Sequence, residues 1–197
     1  MLSVVTIFVS LSGYIGGKSW YTARLRDSPS AAVPRKEALP KPGRQLVFVY
    51  LGSSRCNPSN QKDVIESIRS SVGLARHQAL RQGIGFVSIG IARELSADAG
   101  IAHLAGVYGF DEVAAGQGGL NQAAFRFVSR DHPGIAATPQ VLVIERVLAP
   151  LGTTVDDVEF TERVLLRKVG AVEISQWTAR GAKIPLTQGN NNSGRRL

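Results

Sequence analysis

Apolar positions along the chain recur with two different periods, and together they predict strands alternating with helices. Residues 46–51 are almost continuously apolar and rich in Val and aromatic side chains, which is typical of a strand buried on both faces. From about Pro58 to Arg81 the apolar residues return at helical spacing. Residues 86–92 then alternate as a second strand. A strand, a helix and a strand of these lengths predict a right-handed crossover between parallel strands.

The second half of the chain continues with elements of the same kinds. Ser96 is placed to cap a second helix that ends near Val107. The glycine-rich residues 109–120 fit no regular element, and residues 125–129 fit either a short strand or the end of a helix. Three further elements are predicted: strands over residues 141–147 and 163–169, which we expect to pair antiparallel, and a short helix over residues 171–178. The pattern therefore predicts an α/β fold, with a central mixed sheet flanked by helices.

The two ends of the chain differ in composition from the body. Residues 2–17 carry no charge, and Trp20 and Tyr21 can extend this run toward the roughly 20 apolar residues that span a bilayer. A buried first strand or helix is the alternative. We expect a membrane signal-anchor, because a proline-rich basic linker follows the run instead of a turn into a core. The predicted organisation is an anchor over residues 1–21, a linker over 22–43, an α/β domain over 44–184 and a disordered polar tail over 185–197.

The net charge of +8 is concentrated outside the predicted domain. Seven basic residues stand against two acidic ones between Lys18 and Arg44, and four basic residues with no acid follow Trp177. The stretch between these regions is close to neutral. A nucleic-acid-binding domain carries its positive charge on the folded face, so we expect no nucleic-acid partner.

The chain contains a single cysteine, Cys56, at the point where the first predicted strand meets the first predicted helix. Backbone N–H groups and the helix dipole favour the thiolate there, and thiolate is the reactive form of cysteine. One cysteine excludes an intramolecular disulfide and a cysteine-rich zinc site. The three histidines, His77, His103 and His132, lack metal-ligand spacing, so we expect neither a metal nor a cofactor.

In this order of elements the chain resembles the thioredoxin fold family. The resemblance rests on Cys56-Asn57-Pro58-Ser59 after an apolar strand, on the helix that follows, on Thr138-Pro139 before a strand, and on Val169-Gly170-Ala171 before the last helix. It implies that Cys56 is the attacking cysteine. It also implies that Pro58 is the proline between the family's two cysteines and that Pro139 is a cis-proline facing the sulfur.

The departures from the family pattern shape the expected function. Ser59 stands where the family has its resolving cysteine, so a mixed disulfide cannot be released from within the chain. The expectation is a monothiol site in which Cys56 is the nucleophile and Ser59 donates a hydrogen bond to the thiolate. Arg55 lowers the thiol pKa in this scheme, while Pro58, Thr138 and Pro139 shape the substrate-binding groove. An external thiol then completes the exchange with a disulfide- or thiol-bearing protein partner.

A second interpretation stays open, and with it the question whether the protein is an enzyme. A thioredoxin-like module without its resolving group can serve as a non-catalytic interaction module, or as a subunit or assembly factor of a membrane complex. A Cys56 pKa near or below 7 favours chemistry, and one above about 8.5 favours the module. By resemblance we expect the domain on the extracytoplasmic side of the membrane, although the positive charges after the apolar run favour the cytoplasm.

Overall fold

A computed structural model describes residues 42–149 and 160–186, and within them the chain forms one five-stranded sheet. The strands lie in the order β3-β2-β1-β4-β5, with β1, β2 and β3 mutually parallel and with β4 antiparallel to both β1 and β5. Their bounds are Gly43–Gly52 (β1), Gly85–Ala92 (β2), Glu112–Ala114 (β3), Gln140–Leu148 (β4) and Phe160–Val169 (β5). The central strand β1 is buried from Leu46 to Gly52, which explains its almost unbroken apolar sequence.

Helices cover both faces of this sheet. Their bounds are Lys62–Arg81 (α1), Ala97–Val107 (α2), Gln122–Phe125 (α3) and Gly170–Ala179 (α4). Two 3₁₀ turns, Asn57–Asn60 and Gly118–Leu120, precede α1 and α3, and the π-helical turn Arg126–Arg130 continues α3. Ser96 caps α2 as the sequence predicts, because its hydroxyl accepts a hydrogen bond from the Ala99 N–H.

The alternation of β1 side chains divides the core between the two faces. Leu46, Phe48 and Tyr50 point toward α1, α2 and α4 and belong to one buried cluster. Val47 and Val49 point the opposite way, into a second cluster closed by α3 and the π-helical turn. Both faces of β1 are therefore packed, which leaves the end of the strand as the place where its neighbouring loops reach the surface.

This architecture is a thioredoxin-like fold, as the resemblance implied. The central strand β1 leads into the long helix α1, β2 lies parallel on one side of β1, and the antiparallel pair β4–β5 on its other side leads into the final helix. The antiparallel pairing of residues 141–147 with the last strand is confirmed.

Three local differences from the sequence-based expectation have identifiable causes. The helix predicted from Pro58 begins instead at Lys62, because a 3₁₀ turn and the extended residue Gln61 intervene. The unassigned glycine-rich stretch contributes the edge strand β3, which pairs with only three residues of β2. Residues 125–129 are helical, and they cover the second face of the sheet.

The predicted anchor, most of the predicted linker and most of the predicted polar tail fall on residues 1–41 and 187–197, outside the described residues. The last residue of the predicted linker, Gly43, is the first residue of β1. Within residues 42–149 and 160–186, no helix is both long enough and apolar enough to cross a bilayer.

Candidate functional site

Cys56 lies in a tight turn that carries the chain from β1 into α1. The Cys56 N–H donates to the Ser53 carbonyl at 3.1 Å, and the Ser59 N–H donates back to the Cys56 carbonyl at 2.9 Å. The side-chain amide of Asn60 donates to the carbonyls of Ser54 and Cys56, each at 2.8 Å. The Asn60 amide thus joins the carbonyls on either side of Arg55 and stabilises the turn that carries the thiol.

The sulfur of Cys56 faces the segment that precedes β4. Its thiol donates to the carbonyl oxygen of Thr138, with 3.1 Å between Sγ and O. The peptide bond between Thr138 and Pro139 is cis. Two segments separated by 82 positions in the sequence therefore meet at the sheet edge, which agrees with the implied neighbourhood of Cys56 and Pro139.

A set of hydrogen bonds from the sheet holds the Thr138–Pro139 segment in place. The Gln140 side chain is fully buried, and its amide donates to the carbonyls of Ile135 at 3.1 Å and Ala137 at 2.7 Å. The Gly170 N–H donates to the Pro139 carbonyl at 2.8 Å. Gly170 has a φ of +84°, a conformation that a side chain would strain, so this bond depends on a glycine at the start of α4.

Arg167 on β5 supports the same segment from below. Its guanidinium donates to the Gln140 side-chain oxygen at 3.3 Å, to the Phe127 carbonyl at 3.1 Å and to the His132 carbonyl. It therefore links β5, the π-helical turn and the loop that carries Thr138. The position of the Thr138 carbonyl opposite Cys56 therefore depends on contacts from several elements at this edge of the sheet.

Several groups act on the pKa of the Cys56 thiol, and they do not all act in one direction. Partial burial acts to raise it, but the Ser59 hydroxyl, the Thr138 side chain and the Ser59 N–H together outweigh burial, so the pKa lies below its ordinary value. The Thr138 carbonyl is an acceptor and so favours the protonated thiol. The thiol is partly exposed, which lets a reactant reach it.

Ser59, predicted to donate to the thiolate, is fully buried on the inner side of the turn. Its Oγ forms no hydrogen bond of ordinary length and angle with the described residues. The hydroxyl acts to lower the pKa of the Cys56 thiol and opposes the rise in the pKa of the Tyr50 phenol.

The other predicted site residues differ in their placement. Pro139 is buried and Thr138 is half-buried beside the sulfur, whereas Arg55 and Pro58 are exposed. The groups that lower the Cys56 pKa come from Ser59 and Thr138, and Arg55 is not among them. The roles predicted for Arg55 and Pro58 in substrate binding stay predictions.

Beneath the turn lies a buried polar cluster that the sequence did not indicate. Tyr50 is fully buried, and its hydroxyl lies 3.5 Å from Nε2 of the half-buried His103. Burial raises the Tyr50 pKa far above its ordinary value, with the nearby Ser59 hydroxyl opposing and the charges of Cys56 and Glu94 adding to the rise. Burial also lowers the His103 pKa, and Glu94 opposes that change.

Glu94, two residues after the end of β2, is 3% exposed, and its carboxylate accepts a hydrogen bond from the Ser54 N–H in the Cys56 turn. Burial acts to raise its pKa, but hydrogen bonds, chiefly from Ser54, outweigh burial and lower it. Two sequence features could have indicated this cluster. Tyr50 is the only residue with a polar group in the apolar run 46–51, and Glu94 lies two residues after the end of β2, a strand parallel to β1.

A cavity of about 390 Å³ lies apart from Cys56, on the face of the sheet covered by α3. Its lining includes Glu112, Arg126, Arg146 and Phe160, and none of the residues of the Cys56 turn. Burial raises the Glu112 pKa, with Arg146 opposing. Among the described residues, no group of three or more His, Cys, Asp or Glu side chains is arranged to hold a metal ion.

Comparison with known proteins adds little to this geometry. No protein-family model matches the chain, and no curated protein matches it. Among solved structures, the chain is similar to a protein from Chlorobium tepidum described as a thiol:disulfide interchange protein, DsbE. The two share 15% identity over 71% of this chain and 81% of the other, with a TM-score of 0.38. A similarity at that level supports no conclusion about this chain. The fold assignment therefore rests on the strand order and the geometry around Cys56.

Proposed function

We propose that this protein carries out thiol–disulfide exchange through Cys56 and forms a mixed disulfide with a protein partner. The observation that carries the proposal is the position of the sulfur: it is partly exposed, 3.1 Å from the Thr138 carbonyl, in a turn whose neighbours lower the thiol pKa. A lowered pKa raises the thiolate fraction at neutral pH, and thiolate is the attacking species.

The exchange has two balanced steps. The Cys56 thiolate attacks one sulfur of a partner disulfide, so that a Cys56–partner bond forms while the partner's own S–S bond breaks and its other sulfur leaves as a thiolate. A second thiol, supplied by another molecule, then attacks the mixed disulfide and regenerates the Cys56 thiolate. Ser59 cannot perform this second step because a hydroxyl forms no disulfide.

The single cysteine makes the test direct, since every thiol signal belongs to Cys56. Purified protein is mixed with a disulfide-containing peptide at pH 6, and the mixed disulfide is followed by intact-mass spectrometry. The same chain unfolded in urea provides an unperturbed thiol as the matched control. We expect the native chain to react faster than the unfolded chain and to be restored by added thiol. An equal or slower native rate contradicts the proposal.

A second candidate function has its own observation. The Cys56 thiol donates to a carbonyl, which favours the protonated form, and the chain has no resolving cysteine. Both features suit a non-catalytic thioredoxin-like module that binds a partner or serves as a subunit or assembly factor of a membrane complex. A thiol that alkylates only above its ordinary pKa, in a chain that still binds its partner after Cys56→Ser, supports this alternative.

We also propose that residues 1–21 anchor the domain to a membrane and that the domain faces the extracytoplasmic side. The support for an anchor is the uncharged run and the linker that follows it, and the support for the extracytoplasmic side is the resemblance to the thioredoxin family. A membrane-impermeant maleimide applied to intact cells tests the sidedness. Labelling of Cys56 before lysis is expected, and labelling only after lysis places the domain in the cytoplasm.

A further inference from the structure

Three large apolar side chains are exposed at the end of the sheet where Cys56 lies. Leu95 is 73% exposed, Leu120 is 80% exposed and Ile135 is 68% exposed. They come from the loop after β2, from the 3₁₀ turn that ends at Leu120, and from the loop that leads to the cis peptide bond before Pro139. Single exposed apolar side chains are common, whereas several at one place mark a surface that another molecule covers.

Backbone contacts hold Leu95 and Leu120 on the same turn. The Leu95 carbonyl accepts a hydrogen bond from the Gln117 N–H at 3.1 Å, and the Leu120 N–H donates to the Gln117 carbonyl at 2.9 Å. The Leu95 side chain packs on the backbone of Gly118, where an added Cβ would be only 3.0 Å from Leu95 Cδ2. The exposed side chains of Leu95 and Leu120 are therefore neighbours.

Arg93 connects this turn to the loop that carries Ile135. Its guanidinium donates to the Ala136 carbonyl at 2.9 Å, and an added Cβ at Gly119 would be 3.9 Å from its Nη2. The Ile135 carbonyl accepts from the buried Gln140 amide at 3.1 Å, which fixes the loop. The three loops therefore meet at one arginine. We call the exposed side chains of Leu95, Leu120 and Ile135 the apolar patch.

The apolar patch adjoins the Cys56 turn. The Arg93 N–H donates at 3.1 Å to the carbonyl of Gly52, the last residue of β1. Ala136 lies two residues before Thr138, whose carbonyl accepts the Cys56 thiol. A protein segment that presents a disulfide to Cys56 can therefore reach the patch with neighbouring residues, because each extended residue spans about 3.3–3.6 Å.

Two arginines give this end of the sheet a positive charge. Arg55 is exposed beside Cys56, and the Arg93 guanidinium donates to an uncharged carbonyl. Within residues 42–149 and 160–186, neither arginine forms an ion pair with a carboxylate. The nearby carboxylate of Glu94 is buried and accepts from the Ser54 N–H. A carboxylate on a bound molecule would complement these charges.

We propose that the apolar patch and Arg93 bind the disulfide-bearing segment of a partner protein, and that this segment carries large apolar side chains and a carboxylate next to its cysteine. The inference deepens the proposed function and rests on it, since it names the chemistry of the partner in the exchange. The apolar side chains of the segment cover the patch, and its carboxylate pairs with Arg93. A basic segment is rejected because the two arginines repel it.

The first experiment measures non-covalent binding, so that it does not depend on exchange. The full chain carries Cys56→Ser, and the probe is a short synthetic peptide with serine at the cysteine position, leucine on both sides and an aspartate next to them. Calorimetry gives the Kd, and NMR of the isotope-labelled chain locates the peptide. We expect the largest chemical-shift changes at residues 93–95, 118–120 and 135–136. Absence of binding, or changes centred elsewhere, overturns the proposal.

A pair of leucine variants tests the apolar patch. Leu120→Ser removes a side chain of the patch, and the matched control Leu80→Ser removes one that is 74% exposed near the end of α1, beside the opposite end of the sheet. Neither side chain is buried, and thermal unfolding checks that both variants are folded. We expect Leu120→Ser to weaken peptide binding about tenfold and Leu80→Ser to leave it unchanged. Equal Kd values for the two variants overturn the proposal.

A second pair of variants tests the charge. Arg93→Gln is compared with Arg81→Gln, an exposed arginine at the end of α1, and the aspartate peptide is compared with one that has lysine in its place. We expect Arg93→Gln to weaken binding of the aspartate peptide about threefold at low salt, with a smaller effect at high salt. A lysine peptide that binds as tightly as the aspartate peptide overturns the acidic character assigned to the partner.

The binding test and the mixed-disulfide test can fail separately. A peptide that binds the patch in the Cys56→Ser chain, while its disulfide form gives no mixed disulfide with the unaltered chain, keeps the patch and removes the exchange function. Exchange that is equally fast with disulfide peptides of any composition beside the cysteine keeps the exchange function and overturns the patch.

Discussion

Two buried carboxylates of the described residues, Glu162 with a side chain 6% exposed and Glu94, are paired in different ways. Glu162, on the sheet face covered by α3, accepts hydrogen bonds from Arg126 at 2.6 Å, Arg146 at 2.8 Å and His132 at 3.0 Å. Glu94, below Cys56, accepts from the Ser54 N–H through Oε1, and its Oε2 has no hydrogen-bond partner among the described residues. The first arrangement is that of a satisfied structural network, and the second is that of a site kept partly unsatisfied. Burial alone therefore does not distinguish structure from function, whereas the pairing of the buried atoms does.

The largest expected effect is at the satisfied carboxylate. Glu162→Ala leaves Arg126 and Arg146 without the carboxylate that both contact in a buried setting, so we expect a loss of about 3 kcal/mol in the free energy of unfolding. Urea unfolding measures this loss. The control is Glu66→Ala, whose exposed partner Lys62 is 4.0 Å away and whose loss is expected to cost under about 0.5 kcal/mol. Similar losses of unfolding free energy in Glu162→Ala and Glu66→Ala would contradict a special contribution of the buried Glu162 network to stability. The Cys56 alkylation profile should not change in either.

A smaller effect is expected from crowding the Cys56 side of the sheet. Gly52→Ala places a methyl group against the Tyr50 hydroxyl, and we expect a loss of about 1–3 kcal/mol together with a changed alkylation profile. Gly73→Ala on α1 is the control, since nothing lies within 4 Å of its added Cβ. That change should stabilise the chain by up to about 1 kcal/mol, because alanine favours a helix. If Gly52→Ala is as harmless as Gly73→Ala, Tyr50 is not held where we place it.

The region around His103 and the region around Glu162 should lose stability in different pH ranges. The folded pKa of His103 is lowered by burial, so the unfolded chain binds the proton first and stability falls as the pH drops below the ordinary value of 6.5. Burial of Glu162 acts to raise its pKa, but the charges of Arg146 and Arg126 outweigh it, so its contribution is present above the ordinary value of 4.5 and is lost as the pH falls through the lowered folded value.

Urea midpoints between pH 7 and pH 3 measure both windows. His103→Gln should reduce the decline of the urea midpoint just below pH 6.5. Glu162→Gln should reduce the decline below pH 4.5. Glu112, whose pKa burial raises, acts in the opposite direction, so each window is taken from the difference between a variant and the unaltered chain. A single decline of the urea midpoint with pH that neither variant alters would contradict the prediction of two separate pH ranges.

The smallest expected effect on stability is at the unsatisfied carboxylate. Glu94→Gln keeps an acceptor for the Ser54 N–H and removes a buried charge, so we expect a change of about 1 kcal/mol or less. Urea unfolding measures this change. Glu94→Ala, which also removes the acceptor, is the matched comparison and should cost more stability. A Glu94→Gln variant destabilised as strongly as Glu162→Ala would make Glu94 a structural residue.

Much of the fold was predictable because its elements carry strong local signals. The apolar run of β1, the helical period of α1 and the cap at Ser96 each depend on residues close in sequence. The start of α1 was not predictable, because the Asn60 amide stabilises a 3₁₀ turn through contacts that no periodicity records. The edge strand β3 was missed for a related reason: three residues are too few to show a period.

The same distinction between local sequence signals and tertiary contacts applies to the residues of the candidate site. Cys56, Ser59, Thr138 and Pro139 follow from motif and order, and the sulfur does meet the Thr138 carbonyl. His103 gave no sequence signal that separates it from a surface histidine, since its contact with Tyr50 depends on the packing of α2 against β1. The Gln140 and Arg167 side chains that hold the loop could not be found for the same reason.

The amino-acid order alone determined the alternation of elements, the α/β class and the presence of one thiol at a strand end, because these depend on hydrophobic period and local chemistry. Only the tertiary structure decided which carboxylate is paired and which hydroxyl is left without a partner. Both properties depend on contacts between atoms that lie far apart in sequence. The packing of β1 against α1 and α2 brings those atoms together.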